Sequence, residues 1–246
     1  MNNNQTIEKL RQMRISAMAD LHSQHLKNNG AGNFTPDEYL GMLTDHEWES
    51  RHNQKTGRLL KQAGFRQKAS VEEISYEPAR NLDRNMFTRL ATLEFISRKE
   101  NLIITGASGV GKSYLAQALG HEACINVHKV LYANTARLFT RLKLAKTDGT
   151  YLKELNKLQK TNLLILDDFG LQPLDNHGRE ALMNIIDDRY EITSTIIVSQ
   201  IPVSLWYELI GEGTIADAIL DRIVNSSHRI DLKGESLRKG ILKDEN

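Results

Sequence analysis

ITGASGVGKSYLAQA, residues 104–118, carries the pattern on which the reading of the fold turns. Within it, Gly106-Ala107-Ser108-Gly109-Val110-Gly111-Lys112-Ser113 has the spacing of a phosphate-binding loop. Glycines at 106, 109 and 111 let the backbone turn tightly, so that its N–H groups converge on phosphate oxygens. A helix opening near Lys112 adds its positive N-terminal end. Lys112 is placed to reach the β- and γ-phosphates and the Ser113 hydroxyl to ligate Mg²⁺. An apolar strand, Leu102 to Thr105, precedes the loop, and an apolar-patterned helix follows it. This context predicts binding of a nucleoside triphosphate with Mg²⁺.

Outward from the loop, short apolar runs alternate with helical patterns. A helix is expected over about 84–98, then strands at Lys129–Tyr132, Asn162–Leu166, Thr195–Val198 and near His228–Leu232, with a helix over Asn176–Tyr190. That order predicts an α/β fold: a parallel sheet with helices on both faces.

Two of these strands end on polar residues, and ligands bind at the C-terminal ends of parallel strands. LLILDDFG begins at Leu163 and places Asp167 where a carboxylate would hold Mg²⁺. Asp168 directly after it is suited to polarise a water for attack on the γ-phosphate, which favours hydrolysis. STIIVSQ ends on Ser199 and Gln200, suited to orient that water. ADAILDRI carries Arg222 near a helix end, where it would either reach a neighbouring subunit's nucleotide or pair with Asp217 or Asp221.

Residues 1–69 read as a small all-helical domain and 70–83 as a linker, with Pro78 biasing Glu77 away from helix. Residues 84–246 form the nucleotide-binding domain. Thr35-Pro36-Asp37-Glu38 has the form of a helix start. The net charge of +1 excludes nothing by itself, but its distribution is uneven. Ser50 to Val71 holds six basic residues and no acidic one; Arg137 to Lys160 holds seven basic against Asp148 and Glu154. Arg51, Lys55, Arg58 and Lys61 in the first island, and Arg137, Arg141, Lys143 and Lys146 in the second, are candidate contacts to a polyanion. Trp48 and Trp206 lie in apolar helical patterns, as core or interface residues rather than stacking platforms for bases. Cys124 is the only cysteine, which fits a reducing compartment and a buried core thiol. No apolar run reaches membrane-spanning length, and the first residues lack a secretory signal pattern, so a cytoplasmic location is expected.

The ordered set GASGVGKS, LLILDDFG, TIIVSQ, ADAILDRI and GESLRK resembles the IstB/DnaC-like ATP-binding proteins of the AAA+ class, helper ATPases of insertion-sequence transposition and related helicase loaders. The resemblance spans nearly the whole chain. It implies that Gly106 to Ser113 bind ATP, and that Asp167 and Asp168 are the Mg²⁺-binding and hydrolytic acids. Ser199 and Gln200 correspond to a first sensor, Arg222 to an arginine finger acting in trans, and Arg238 to a second sensor acting in cis. Only fourteen residues follow Leu232, which leaves a reduced C-terminal lid and an alternative for Arg238 as an exposed tail residue. The resemblance further implies a homo-oligomer with ATP at the subunit interface, assembling on duplex DNA and serving a cognate transposase. A helicase loader of the DnaC type is the alternative. A small-molecule kinase would leave Asp168 and Arg222 without a task.

Overall fold

Strand periodicity decides the layers. The structure is a computed structural model and describes residues 3–28, 34–225 and 227–237. In chain order the helices are α1 (Asn3–Gln12), α2 (Ser16–Lys27), α3 (Pro36–Ala63), α4 (Arg84–Ala91), α5 (Glu94–Ser97) and α6 (Lys112–Ile125). They continue with α7 (Thr135–Thr147), α8 (Tyr151–Gln159), α9 (Asn176–Arg189), α10 (Trp206–Ile210) and α11 (Gly213–Val224). The strands are β1 (Asn101–Gly106), β2 (Val130–Asn134), β3 (Leu163–Phe169), β4 (Ser194–Ser199) and β5 (Ser227–Leu232). They form one parallel sheet in the order β2-β3-β4-β1-β5.

Successive side chains of a strand point to opposite faces, and here both faces are buried. Leu102, Ile104, Leu163, Ile165, Ile196 and Val198 pack with α4, α5 and α6. Ile103, Leu164, Leu166 and Ile197 face the other way, into a layer built with α7 to α11. Helix α6 is buried nearly all round, which explains its small residues. At Gly120 a Cβ would come within 2.7 Å of the Phe65 ring and 2.8 Å of Ile165, so glycine admits both neighbours.

The chain divides into two compact units, residues 1–58 and 59–246. Within the first, the start of α3 is closed by a reciprocal cap. The Thr35 backbone N–H donates to Glu38 Oε2 at 2.8 Å, and Glu38 N–H to Thr35 Oγ1 at 3.4 Å. The Thr35 amide holds the Glu38 carboxyl below its ordinary value. Glu47 is buried on α3, where the Met18 amide and Arg51 satisfy it. Trp48 lies on the outward side of the same helix, 66 % exposed and stacked on His52, so it is not a core residue. In the second unit Trp206 is fully buried, its Nε1–H donating to the Ile201 carbonyl at 2.9 Å.

Residues 59–76 contribute Leu59, Ala63, Ala69 and Ile74 to the core beside α6. The helix expected over 84–98 is two helices, broken where Leu93 takes φ +63°. The break turns Phe95 and Ile96 into the layer that already holds Phe87 and Leu90. Among the described residues no helix is long and apolar enough to cross a membrane.

Cys124 is wholly buried on α6, and burial pushes its thiol up to about 11. The folded thiol keeps its proton to higher pH than the unfolded one, so this contribution to stability falls as pH rises above about 9. Alkylation of Cys124 at pH 8 is therefore expected to be negligible in the native protein and complete in denaturant. Rapid native labelling would contradict this packing.

Candidate nucleotide-binding site

β1 delivers the chain into the glycine-rich loop beside the end of β5. Gly106 takes φ +140°, and a Cβ there would lie 2.3 Å from the Leu232 carbonyl oxygen. Gly109 and Gly111 are also left-handed, at φ +83° and +95°. Lys112 opens α6, is buried, and donates from Nζ to the Ala107 carbonyl at 2.7 Å. That carbonyl holds the ammonium group inside the turn of the loop.

Flanking segments fix the loop from behind. Arg80, buried on the short turn Pro78–Arg80, donates from Nη2 to the Val110 carbonyl at 3.1 Å and from Nη1 to the Ser75 carbonyl. Its own carbonyl accepts the Lys233 N–H at 3.1 Å. The Leu237 N–H donates to the Gly109 carbonyl at 3.0 Å. The segment 70–83 and the residues after β5 are thus both bound to the phosphate loop.

Asp167 ends the regular part of β3, fully buried. Ser113 Oγ donates to its Oδ1 at 3.0 Å, the Asp168 N–H to the same oxygen at 2.9 Å, and the Tyr132 hydroxyl to Oδ2. Thr135 Oγ1 donates to its carbonyl at 2.8 Å. Burial first, and the Asp167 carboxylate second, push the Tyr132 hydroxyl far above its ordinary value, so it stays a donor.

Asp167 turns to Ser113 and Tyr132, while Asp168 lines the nucleotide cavity. The β3–β4 register shifts between Leu166 and Phe169, and Asp168 takes φ +58°. Its Oδ2 accepts from Asn134 Nδ2 at 2.8 Å and from Arg66 Nη1 at 3.4 Å. A cavity of about 450 Å³ results, lined by Ser108, Gly109, Gly111, Lys112, Ser113, Asp168 and Gln200. Arg66, Gln67, Tyr114 and Leu237 complete the lining.

Of the two residues expected at the end of β4, Gln200 reaches the cavity. Ser199 is buried, donates to the Phe169 carbonyl at 2.7 Å and accepts the Ile201 N–H at 3.0 Å, so it holds the strand end. Arg222, on α11, lies apart from this lining. It pairs with Asp187 at 3.2 Å rather than Asp217 or Asp221, and also donates to the Ala218 carbonyl. Arg238 lies outside the described residues.

The basic islands are partly paired. Arg51 bonds Glu47 at 2.7 Å and the Arg14 carbonyl at 2.6 Å. Arg141 meets Glu154 at 3.6 Å, Lys143 meets Asp175 at 3.2 Å, and Lys146 meets Glu180 at 2.6 Å. Lys55, Arg58, Lys61 and Arg137 are exposed and have no ion pair among the described residues.

The residues that pattern reading missed are Arg66, Arg80, Tyr132 and Asn134. Asn134 was within reach, since it ends β2 by the same rule that singled out Asp167. Arg66 and Arg80 carry no such signal, lying in a charge run and in a polar connection. The loop geometry makes Gly106→Ala severe. Its Cβ would strike backbone that cannot swing aside, so ATP should lose its protective shift in thermal unfolding. A full shift in that variant would contradict the approach of β5.

Comparison with known proteins agrees with this geometry. The family described as IstB-like ATP binding protein matches residues 8–243. An insertion sequence ATP-binding protein of Sinorhizobium fredii is 46 % identical over 234 residues, 95 % of this chain and 96 % of its own. The insertion sequence IS21 ATP-binding protein of Pseudomonas aeruginosa is 35 % identical over 82 % of this chain and 76 % of its own. Among solved structures the DnaC helicase loader shares the fold, with TM-score 0.54 and 23 % identity over 67 % of this chain and 97 % of that one. With a parallel sheet, a glycine loop closed on Lys112 and an acid pair at the end of β3, the chain belongs to the IstB-like ATP-binding proteins of the AAA+ class.

Proposed function

We propose that this protein is an ATPase that assembles on duplex DNA in its ATP-bound form and assists a transposase in target selection. The observation that carries the hydrolytic part is the acid pair at the end of β3: Asp167 bonds the Ser113 hydroxyl, and Asp168 lines the cavity beside the phosphate loop. Lys112 neutralises charge on the β- and γ-phosphates. Ser113 Oγ and the Asp167 carboxylate, already 3.0 Å apart, are the oxygen ligands suited to Mg²⁺. When bound, that ion would offset charge on the phosphate chain. Asp168, with Gln200 beside it, orients a water and takes its proton as the oxygen attacks the γ-phosphorus. The bond to the β–γ bridging oxygen breaks and ADP leaves.

Arg222 of a neighbouring copy would stabilise charge on the transferring group. Its surface pair with Asp187 is a weak interaction, about 0–1 kcal/mol. The Leu237 bond to Gly109 supports a cis role for Arg238 at the same site. For DNA, the exposed cations Lys55, Arg58, Lys61 and Arg137 favour backbone contact without sequence reading. The helical segment 1–69 would share in this contact, with 84–246 as the ATPase. Relatives named for insertion sequences, matched along nearly the whole chain, favour the transposition role over helicase loading.

Asp168→Asn should retain ATP affinity while turnover falls by about 10²-fold or more. Unchanged turnover would remove Asp168 from the mechanism. Light scattering should show large assemblies with ATP and duplex DNA together and not with either alone; a persistent monomer at low salt would sink the assembly reading. Replacing Lys55, Arg58 and Lys61 by alanine should flatten the salt dependence of DNA affinity by roughly one unit of slope for each phosphate no longer neutralised. An unaltered slope would relocate the DNA surface.

A further inference from the structure

Arg66 belongs to the first basic island by sequence, yet in the structure its guanidinium lines the nucleotide cavity. Its backbone is anchored to the phosphate-loop helix. The Arg66 N–H donates to Gln117 Oε1 at 2.7 Å, the Gln67 N–H reaches the same oxygen at 3.3 Å, and Gln117 Nε2 donates to the Ser113 carbonyl at 3.0 Å. Gln117 is 1 % exposed. Phe65, the preceding residue, packs over Gly120 and against the His121 ring at 4.2 Å. The root of Arg66 is therefore set relative to Ser113 and the loop.

Its far end is held loosely. The side chain is 47 % exposed, meets Asp168 Oδ2 through one contact at 3.4 Å, and lies 5.7 Å from the centre of the Tyr132 ring. A fixed stem with a weakly engaged cation, facing a cavity that already holds Lys112, is arranged to receive an anion. A triphosphate differs from a diphosphate by its terminal phosphate, and the group that Arg66 meets, Asp168, is the acid assigned above to the attack on that phosphate. A guanidinium binds phosphate oxygens in a two-pronged geometry that outcompetes a single long contact to a carboxylate.

We infer that Arg66 is a nucleotide-sensing residue acting in cis: it leaves Asp168 to bind the terminal phosphate of a nucleoside triphosphate, and returns to Asp168 when a diphosphate occupies the site. Asp168 retains Asn134 in either state. The inference rests on the reading of the loop as the ATP site and adds to it a cation from outside the loop and the acid pair.

The test is equilibrium binding of a non-hydrolysable ATP analogue and of ADP to the full chain and to its Arg66→Ala, Arg66→Lys and Lys112→Ala variants, with circular dichroism confirming folding. Arg66→Ala should lose about tenfold or more in affinity for the ATP analogue while ADP affinity stays within about twofold. Arg66→Lys should recover part of the loss, since it restores charge without the planar fork. An equal loss for both nucleotides would reduce Arg66 to a structural residue. No loss for either, or a loss confined to DNA affinity, would assign it to the polyanion surface; each of these overturns the inference. Lys112→Ala separates the two levels. If it abolishes binding of both nucleotides while Arg66→Ala discriminates as the wild type does, only the Arg66 assignment fails. If Lys112→Ala still binds both, the loop is not the site and both readings fail.

Discussion

The buried carboxylate of Asp167 is the constraint around which the nucleotide site is organised. A charge removed from water costs several kcal/mol unless hydrogen bonds replace its hydration. The replacements come from separate elements: Ser113 from α6, Tyr132 from β2 and the Asp168 amide from β3 itself. Its carbonyl takes the Thr135 hydroxyl at the start of α7. Satisfying one acid thus sets the helix behind the phosphate loop, the neighbouring strand and the next helix in mutual register. The chemistry of the site and the stability of the sheet end rest on the same bonds.

The fold was legible because its signals are local. Short apolar runs marked the strands, and the spacing of the glycines marked the loop. Beyond the loop, candidate site residues were legible only at strand ends, and there only to the level of a pair. Ser199-Gln200 and Asp167-Asp168 both read as two polar residues closing a strand. In the first pair alternation holds, so Ser199 turns inward onto Phe169 and Gln200 turns to the cavity. In the second, Asp167 turns to Ser113 and Tyr132, while Asp168, left-handed at a register shift, lines the cavity. A left-handed aspartate costs roughly 1–3 kcal/mol, and no residue pattern announces it.

Residues 59–83 were the least legible. Their polar composition and Pro78 read as the end of a helical domain and a linker, yet Leu59, Ala63, Ala69 and Ile74 lie in the core beside α6. Arg80 and Arg66 act through the chain they touch rather than through a motif: one binds a loop carbonyl, the other an acid 102 residues away. Such partners are set by the tertiary fold. Asn134 differs, because the rule for ligand-bearing strand ends already pointed to it.

Burial separates the roles of the cations. Arg189 is 2 % exposed and donates to the carbonyls of Leu158, Thr161 and Ser194 and to the Thr195 hydroxyl, so its charge is spent inside the fold. Removing it would strand those acceptors without water. Lys143 is opposite in kind: its partner Asp175 is held below its ordinary value first by the Gly178 amide it caps, and only second by the lysine. Lys143 can therefore leave Asp175 without dismantling the start of α9. Sequence charge alone overstated the second island, because acids from outside it, Asp175 before α9 and Glu180 on α9, fold against it. Ion pairs at a protein surface contribute about 0–1 kcal/mol each. The pairing lowers the positive potential of this surface.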